Sequence, residues 1–141
     1  MPIVNGVNNY KALNPSPANI ISPGLQGGRV RVSTDVYEAA ALAVDSQILM
    51  NAPLPEGAVI IGMELSYDAL GAGVTLQVGD TADNDRYMVA ASAATAGQRA
   101  TILVDGMGYT VTGATNNQIM VVTGGAAATG TVKLTVLWSM E

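Results

Sequence analysis

Near the C-terminus the chain reads Thr131-Val132-Lys133-Leu134-Thr135-Val136-Leu137-Trp138, and this stretch decides the fold class. Val132, Leu134, Val136 and Trp138 recur at every second position, the period of a strand with one face turned to a core. Working back along the chain, further short apolar or alternating runs span 119–123, 101–104, 86–90, 74–78, 59–67 and 37–50, and Arg29-Val30-Arg31-Val32 alternates cleanly. Between them stand Pro53-Leu54-Pro55-Glu56-Gly57, Leu70-Gly71-Ala72-Gly73 and the small-residue run from Thr123 to Gly130. These residues suit turns, because proline fixes φ and glycine tolerates positive φ. The alanine-rich segment Tyr37-Glu38-Ala39-Ala40-Ala41-Leu42-Ala43 competes as helix, but it lacks a 3.6-residue period and is read as strand, with one helical turn as the alternative. About eight strands with such turns predict an all-β fold, a jelly-roll-like β-sandwich, with an immunoglobulin-like sandwich second.

Upstream of Arg29 the pattern changes. Residues 1–28 carry one charge, Lys11, and are punctuated by Pro2, Pro15, Pro17, Pro23, Gly24, Gly27 and Gly28. No regular element is expected there, since each proline also pushes the residue before it toward extended backbone. The sequence therefore divides into an extended N-terminal arm, 1–28, and a β-sandwich domain, 29–141. The arm is not a polar linker: Ile3, Val4, Val7, Tyr10, Leu13, Ile20, Ile21 and Leu25 run through it, and disordered linkers are poor in such residues. These eight side chains are the candidate partner-binding residues, docking on a neighbouring subunit, a larger partner or the arm's own sandwich.

Composition removes most chemistry. Of 141 residues 49% are hydrophobic and only 12% charged, about half the usual charged share of a soluble domain. Six basic and eleven acidic residues leave about one charge per 400 Å² on a monomer of this mass, a bland surface that suits coverage by something else. A net charge of -5 with four Arg and two Lys provides no basic stripe, so nucleic acid is not expected as a partner. The absence of Cys and His excludes thiolate chemistry, the Ser-His-Asp constellation and the commonest transition-metal ligand. No run approaches the length of a membrane helix, and the first residues lack a secretory signal pattern, so a protein made in the cytoplasm without a membrane partner is expected.

Two polar features remain. Gly79-Asp80-Thr81-Ala82-Asp83-Asn84-Asp85-Arg86-Tyr87 offers three carboxylates that could face Ca²⁺, but without EF-hand spacing it reads better as a tight turn closed by Asp and Asn side chains. Glu64, inside Gly62-Met63-Glu64-Leu65, is the one glutamate rigidly placed for carboxylate catalysis, and an outward strand position explains it more simply. No catalytic residue, metal or cofactor is assigned, and no enzymatic activity is expected.

The succession Pro53-Leu54-Pro55-Glu56-Gly57, Val78-Gly79-Asp80 leading into Asp83-Asn84-Asp85-Arg86-Tyr87, Gly108-Tyr109, and Thr129-Gly130-Thr131-Val132-Lys133-Leu134 is similar to small structural proteins of tailed-bacteriophage particles. The likeness covers residues 36–138 and rests on turns and strand starts. By size it most resembles the head decoration, or cement, type. That resemblance implies a homotrimer on the outer surface of the virion capsid, with the major capsid protein as partner. The rival is a phage fibre or adhesin-like module recognising a surface glycan through Tyr37, Tyr67, Tyr87 or Trp138.

Overall fold

The protein was studied as a computed structural model that describes residues 3–4, 7–20 and 28–140. One helix, α1 (Val7–Leu13), precedes eight strands: β1 (Arg29–Leu42), β2 (Gln47–Leu49), β3 (Val59–Tyr67), β4 (Thr75–Asp80), β5 (Met88–Ser92), β6 (Gly97–Arg99), β7 (Ile119–Gly124) and β8 (Ala128–Met140). They form two antiparallel four-stranded sheets, ordered β1-β8-β3-β6 and β2-β7-β4-β5. The first strand pairs with the last, the second with the seventh, the third with the sixth and the fourth with the fifth. That nesting is a long antiparallel hairpin rolled into two layers, which is the jelly roll and not the immunoglobulin arrangement.

The core lies between the sheets. Val132, Leu134 and Val136 of β8 are fully buried and meet Ile60, Met63 and Leu65 of β3, Leu76 and Val78 of β4, and Ile119 and Val121 of β7. Each such side chain contributes roughly 1.5–3 kcal/mol by leaving water. The alternation in residues 131–138 thus marks the central strand of the first sheet, hydrogen-bonded on both sides.

Three expectations need correction. The arm is not devoid of regular structure: Val7–Leu13 is helical. These residues lie between Pro2 and Pro15 with no proline among them, and Asn14 closes the helix by donating its N–H and its Nδ2 to the Tyr10 carbonyl, at 3.0 and 2.8 Å. The run Thr101–Val104 is not a strand. Its Leu103 carbonyl accepts the Gly106 and Met107 amides, both at 3.0 Å, so the chain curls into a turn, and the strand before it is the polar Gly97-Gln98-Arg99. Arg86 and Tyr87 belong to the turn before β5, which begins at Met88. The alanine-rich segment is strand as read, the end of β1, kinked by a bulge at Ala41, where φ is 52°.

Candidate assembly surface

Every open sheet has edges, and here four strands supply them: β1 and β6 in one sheet, β2 and β5 in the other. β2, β5 and β6 have three, five and three residues, whereas β1 has fourteen. Short or bulged edges are how folded proteins avoid pairing with other chains. β1 is long, its bulge lies only near its end, between Ala39 and Leu42, and Arg29 to Leu42 contains no Pro, Gly or Lys.

Register fixes which way each β1 residue faces. Ser33, Asp35 and Tyr37 stand opposite the buried Val136, Leu134 and Val132 and so face inward. Val30, Val32, Thr34, Val36 and Glu38 therefore face out. Val30 and Val32 are 62% and 63% exposed, and Val36 is exposed too. Leu137 of β8 lies opposite Val32 and also opposite Gly62 of β3. A Cβ on Gly62 would stand 3.2 Å from Leu137 Cδ1, so the leucine spreads across the glycine and extends the apolar strip over three strands.

Polar contacts hold β1 in place without covering it. Asp35 accepts the Asn51 amide at Oδ2 and the Val36 amide at Oδ1, both at 2.8 Å, tying β1 to the segment that follows β2. The Thr34 and Thr135 hydroxyls are 3.0 Å apart, and the Thr131 hydroxyl donates to Glu38 Oε1 at 2.8 Å. Arg31 lies over the Trp138 ring, 5.7 Å from its centroid.

The arm residues named from sequence are partly described. Ile3, Val4, Tyr10, Leu13 and Ile20 are all exposed, Ile3 at 92%. The Val7 side chain and residues Ile21 and Leu25 lie outside the described residues. The apolar strip on β1 was missed in the sequence, although Val30 and Val32 were visible, because alternation says which residues share a face but not whether that face is covered.

The opposite rim is closed. β4 and β5 lose register between Leu76 and Val78. Arg99 of β6 fills the gap, donating Nη1 to the Leu76 carbonyl at 2.8 Å and Nη2 to the Val89 carbonyl at 2.6 Å. One guanidinium thus joins the edges of both sheets. Above it sits the turn from Asp80 to Arg86. Asp80, fully buried, accepts the Ala82 and Asp83 amides at Oδ1, both at 2.9 Å, and Arg86 Nε at Oδ2, at 2.6 Å. Arg86 in turn lies 4.0 Å from the Tyr109 ring centroid.

Burial works against the Arg86 charge, but the hydrogen bond and attraction from Asp80 outweigh it and hold the guanidinium above its ordinary pKa. Burial, reinforced by the Asp80 charge, pushes the Tyr87 hydroxyl well up, and that hydroxyl has no hydrogen-bond partner. Asp85 is raised by its hydrogen bond and proximity to Asp83. With both Asp80 oxygens committed, the loop is a turn in which one carboxylate is saturated by two amides and a cation. No three Asp or Glu residues converge on a metal-sized site among the described residues.

The other polar features disperse. Glu64 is exposed on β3 opposite Thr135 and accepts the Gln98 side-chain amide. The aromatics proposed for a glycan face divide: Tyr87 is buried and Trp138 is half-buried beneath Arg31, whereas Tyr37 and Tyr67 flank Val132 from β1 and β3, and Tyr67 lines a shallow depression of about 280 Å³ with Ser66, Asp68, Gly97, Thr131 and Lys133.

No protein-family model matches the chain, and no curated protein sequence does. Among solved structures it is similar to a chain of the capsid asymmetric unit of cyanophage Pam1, with 25% identity and a TM-score of 0.69 over 100% of both chains. A chain of the capsid of Ralstonia phage GP4 shares the fold at 19% identity and a TM-score of 0.63, over 81% of this chain and 86% of that one. So does a chain of the acid-stable capsid of Helicobacter pylori bacteriophage KHP30, at 15% identity and 0.57, over 79% and 87%.

Proposed function

We propose that this chain is a non-enzymatic structural component of a phage capsid, specifically a decoration or cement protein. It binds the outer surface of the mature head and stabilises the lattice through its β domain and its N-terminal arm. The observation that carries this reading is the match of both whole chains, arm included, to a chain of the Pam1 capsid asymmetric unit. The three matched chains are nearly spanned by this one, so they too are small, which supports an auxiliary role beside a larger shell protein.

The physics of the surface supports the same reading. A charge-poor exterior, one long edge strand and an arm whose Ile3, Val4, Tyr10, Leu13 and Ile20 lie in water suit a molecule surrounded by neighbours. An exposed apolar segment gains by lying in a groove or adding to a sheet on an adjacent subunit. The mechanism is mass action: a protein that binds only the expanded lattice stabilises that state by its differential affinity. A closed homotrimer engaging several copies of the major capsid protein adds effective concentration to each contact.

The test is deletion of residues 1–28. The truncated protein is expected to keep the circular dichroism and cooperative unfolding of a β-sandwich and to be lost from capsids during sedimentation. Full occupancy of capsids by the truncated protein would remove the arm from this account.

A further inference from the structure

We infer that the β1 edge is a self-recognition strand: it pairs antiparallel with β1 of a second copy about a twofold axis at Ser33, joining two four-stranded sheets into one of eight strands. The first ground is the disparity of edges, since among the described residues only β1 offers a long row of backbone not paired with another strand. The identity of the free groups follows from hydrogen bonding. The Asp68 amide donates to the Thr131 carbonyl at 3.0 Å, so Thr131 turns its backbone toward β3, and its β1 partner Glu38 turns toward water. The Val36 amide, two residues back, is bound by its own neighbour Asp35 and not by β8. By the alternation of a strand, Val30, Val32, Thr34 and Glu38 present both N–H and C=O groups to the open side, and Val36 presents its C=O, its N–H being held by Asp35.

The second ground is charge. β1 carries Arg29 and Arg31 at its start and Asp35 and Glu38 toward its end. Such a strand repels a parallel, in-register copy and attracts an antiparallel one. Opposed residues must share a face, so the allowed registers differ by steps that keep inward residues opposite inward ones. With the axis at Ser33, Arg31 stands opposite Asp35 of the second copy, twice by symmetry. Val30 then meets Val36 and Val32 meets Thr34 on the outer face. Moving the axis to Val32 sets Arg29 instead opposite Asp35 and leaves Arg31 opposite Ser33, and moving it to Thr34 sets Val30 against Glu38 and opposes no charges of opposite sign. The Ser33 register puts the charge pair at Arg31, inside the strand and not at its first residue, and keeps Val30 opposite Val36.

A twofold contact differs from the threefold closure proposed above, so on a decorated particle it would tie neighbouring oligomers to one another. It holds whether or not the capsid reading does, because it can be read in solution without capsids. The chain has no cysteine, which makes the axis residue directly testable. Across a non-hydrogen-bonded antiparallel pair the Cα atoms are about 4.5 Å apart, inside the roughly 4.4–6.8 Å that a disulfide spans.

Full-length Ser33→Cys, oxidised at high protein concentration, is expected to run as a covalent dimer on a non-reducing gel. Asp105→Cys, on the connection between β6 and β7, is expected to stay largely monomeric under the same conditions. Adding Val32→Pro to Ser33→Cys should abolish the dimer while leaving the unfolding midpoint near that of the parent, because the lost N–H faces the free edge. No Ser33→Cys dimer, equal yield from Asp105→Cys, or a dimer that survives Val32→Pro would each overturn the pairing. A capsid-retention failure with the crosslink intact would sink only the proposed function.

Discussion

The two rims of this sandwich are finished in opposite ways. At one, β5 and β6 are short, and Arg99 bridges the sheets by filling a bulge with two charge-assisted hydrogen bonds. At the other, β1 runs fourteen residues with valines in water and its outer backbone unpaired. A fold that can close an edge and leaves another open has not run out of means. The closed rim belongs to stability and the open rim to association, and substitutions should separate the two.

The largest expected effect lies at the closed rim. Arg99→Ala removes both charge-assisted hydrogen bonds, to the Leu76 and Val89 carbonyls, and should lower the unfolding free energy by about 2–4 kcal/mol, seen as a drop in urea midpoint at unchanged m-value. A loss too small to resolve would show that the sheets are held there by packing alone, and the contrast between rims would weaken.

An intermediate effect, dependent on pH, comes from Tyr87, just below the same rim. Its folded pKa is raised above the ordinary value near 10, so the stability it supports is complete below pH 10 and is lost as pH rises beyond, when the unfolded chain releases a proton that the folded one keeps. The slope from this group is at most about 1.4 kcal/mol per pH unit. Tyr87→Phe should remove that slope in denaturation curves measured from pH 9 to 11. At neutral pH it should leave stability unchanged or raise it by up to about 1 kcal/mol, since the hydroxyl is buried without a partner. An undiminished alkaline slope in the variant would assign it to other groups.

The smallest effect on stability is expected at the open rim. Val32→Thr should change the thermal unfolding free energy by less than about 0.5 kcal/mol, because nothing among the described residues covers that side chain appreciably. A cost beyond about 1 kcal/mol would mean that the strip is covered within the monomer, the arm being the segment long enough to do it.

Most of the fold was legible in the sequence because buried strands announce themselves. In β3, β7 and β8 the inward positions carry Ile, Leu, Met and Val, and the turns between carry Gly, Pro and Asn. What escaped had a physical reason. β6 is an edge strand whose working residue is an arginine, so no apolar run marked it, while the truly apolar Thr101-Ile102-Leu103-Val104 curls because Gly106 lets the chain pack on the Tyr87 ring; a Cβ there would approach Tyr87 Cδ1 to 2.6 Å. α1 escaped because prolines were read as governing a whole segment whose middle has none. Of the candidate surface, the arm's apolar residues were legible and the β1 strip was not. Val30 and Val32 look like any core-facing pair until the register sets Val32 opposite the exposed Leu137.

The nesting of the strands also sets an order of events on the ribosome. β8 lies between β1 and β3, and its last residues, Met140 and Ser139, pair with Arg29 and Val30. The first sheet therefore has no centre until the final strand has emerged, and β1 waits through the synthesis of almost the entire domain with neither of its sides bonded. Closing so distant a pair is entropically slow, and an apolar strand left waiting is exposed to wrong partners. Interspersing Arg, Asp and Glu among the valines of β1 keeps the waiting strand soluble, so residues that direct pairing between finished copies would also protect the unfinished one.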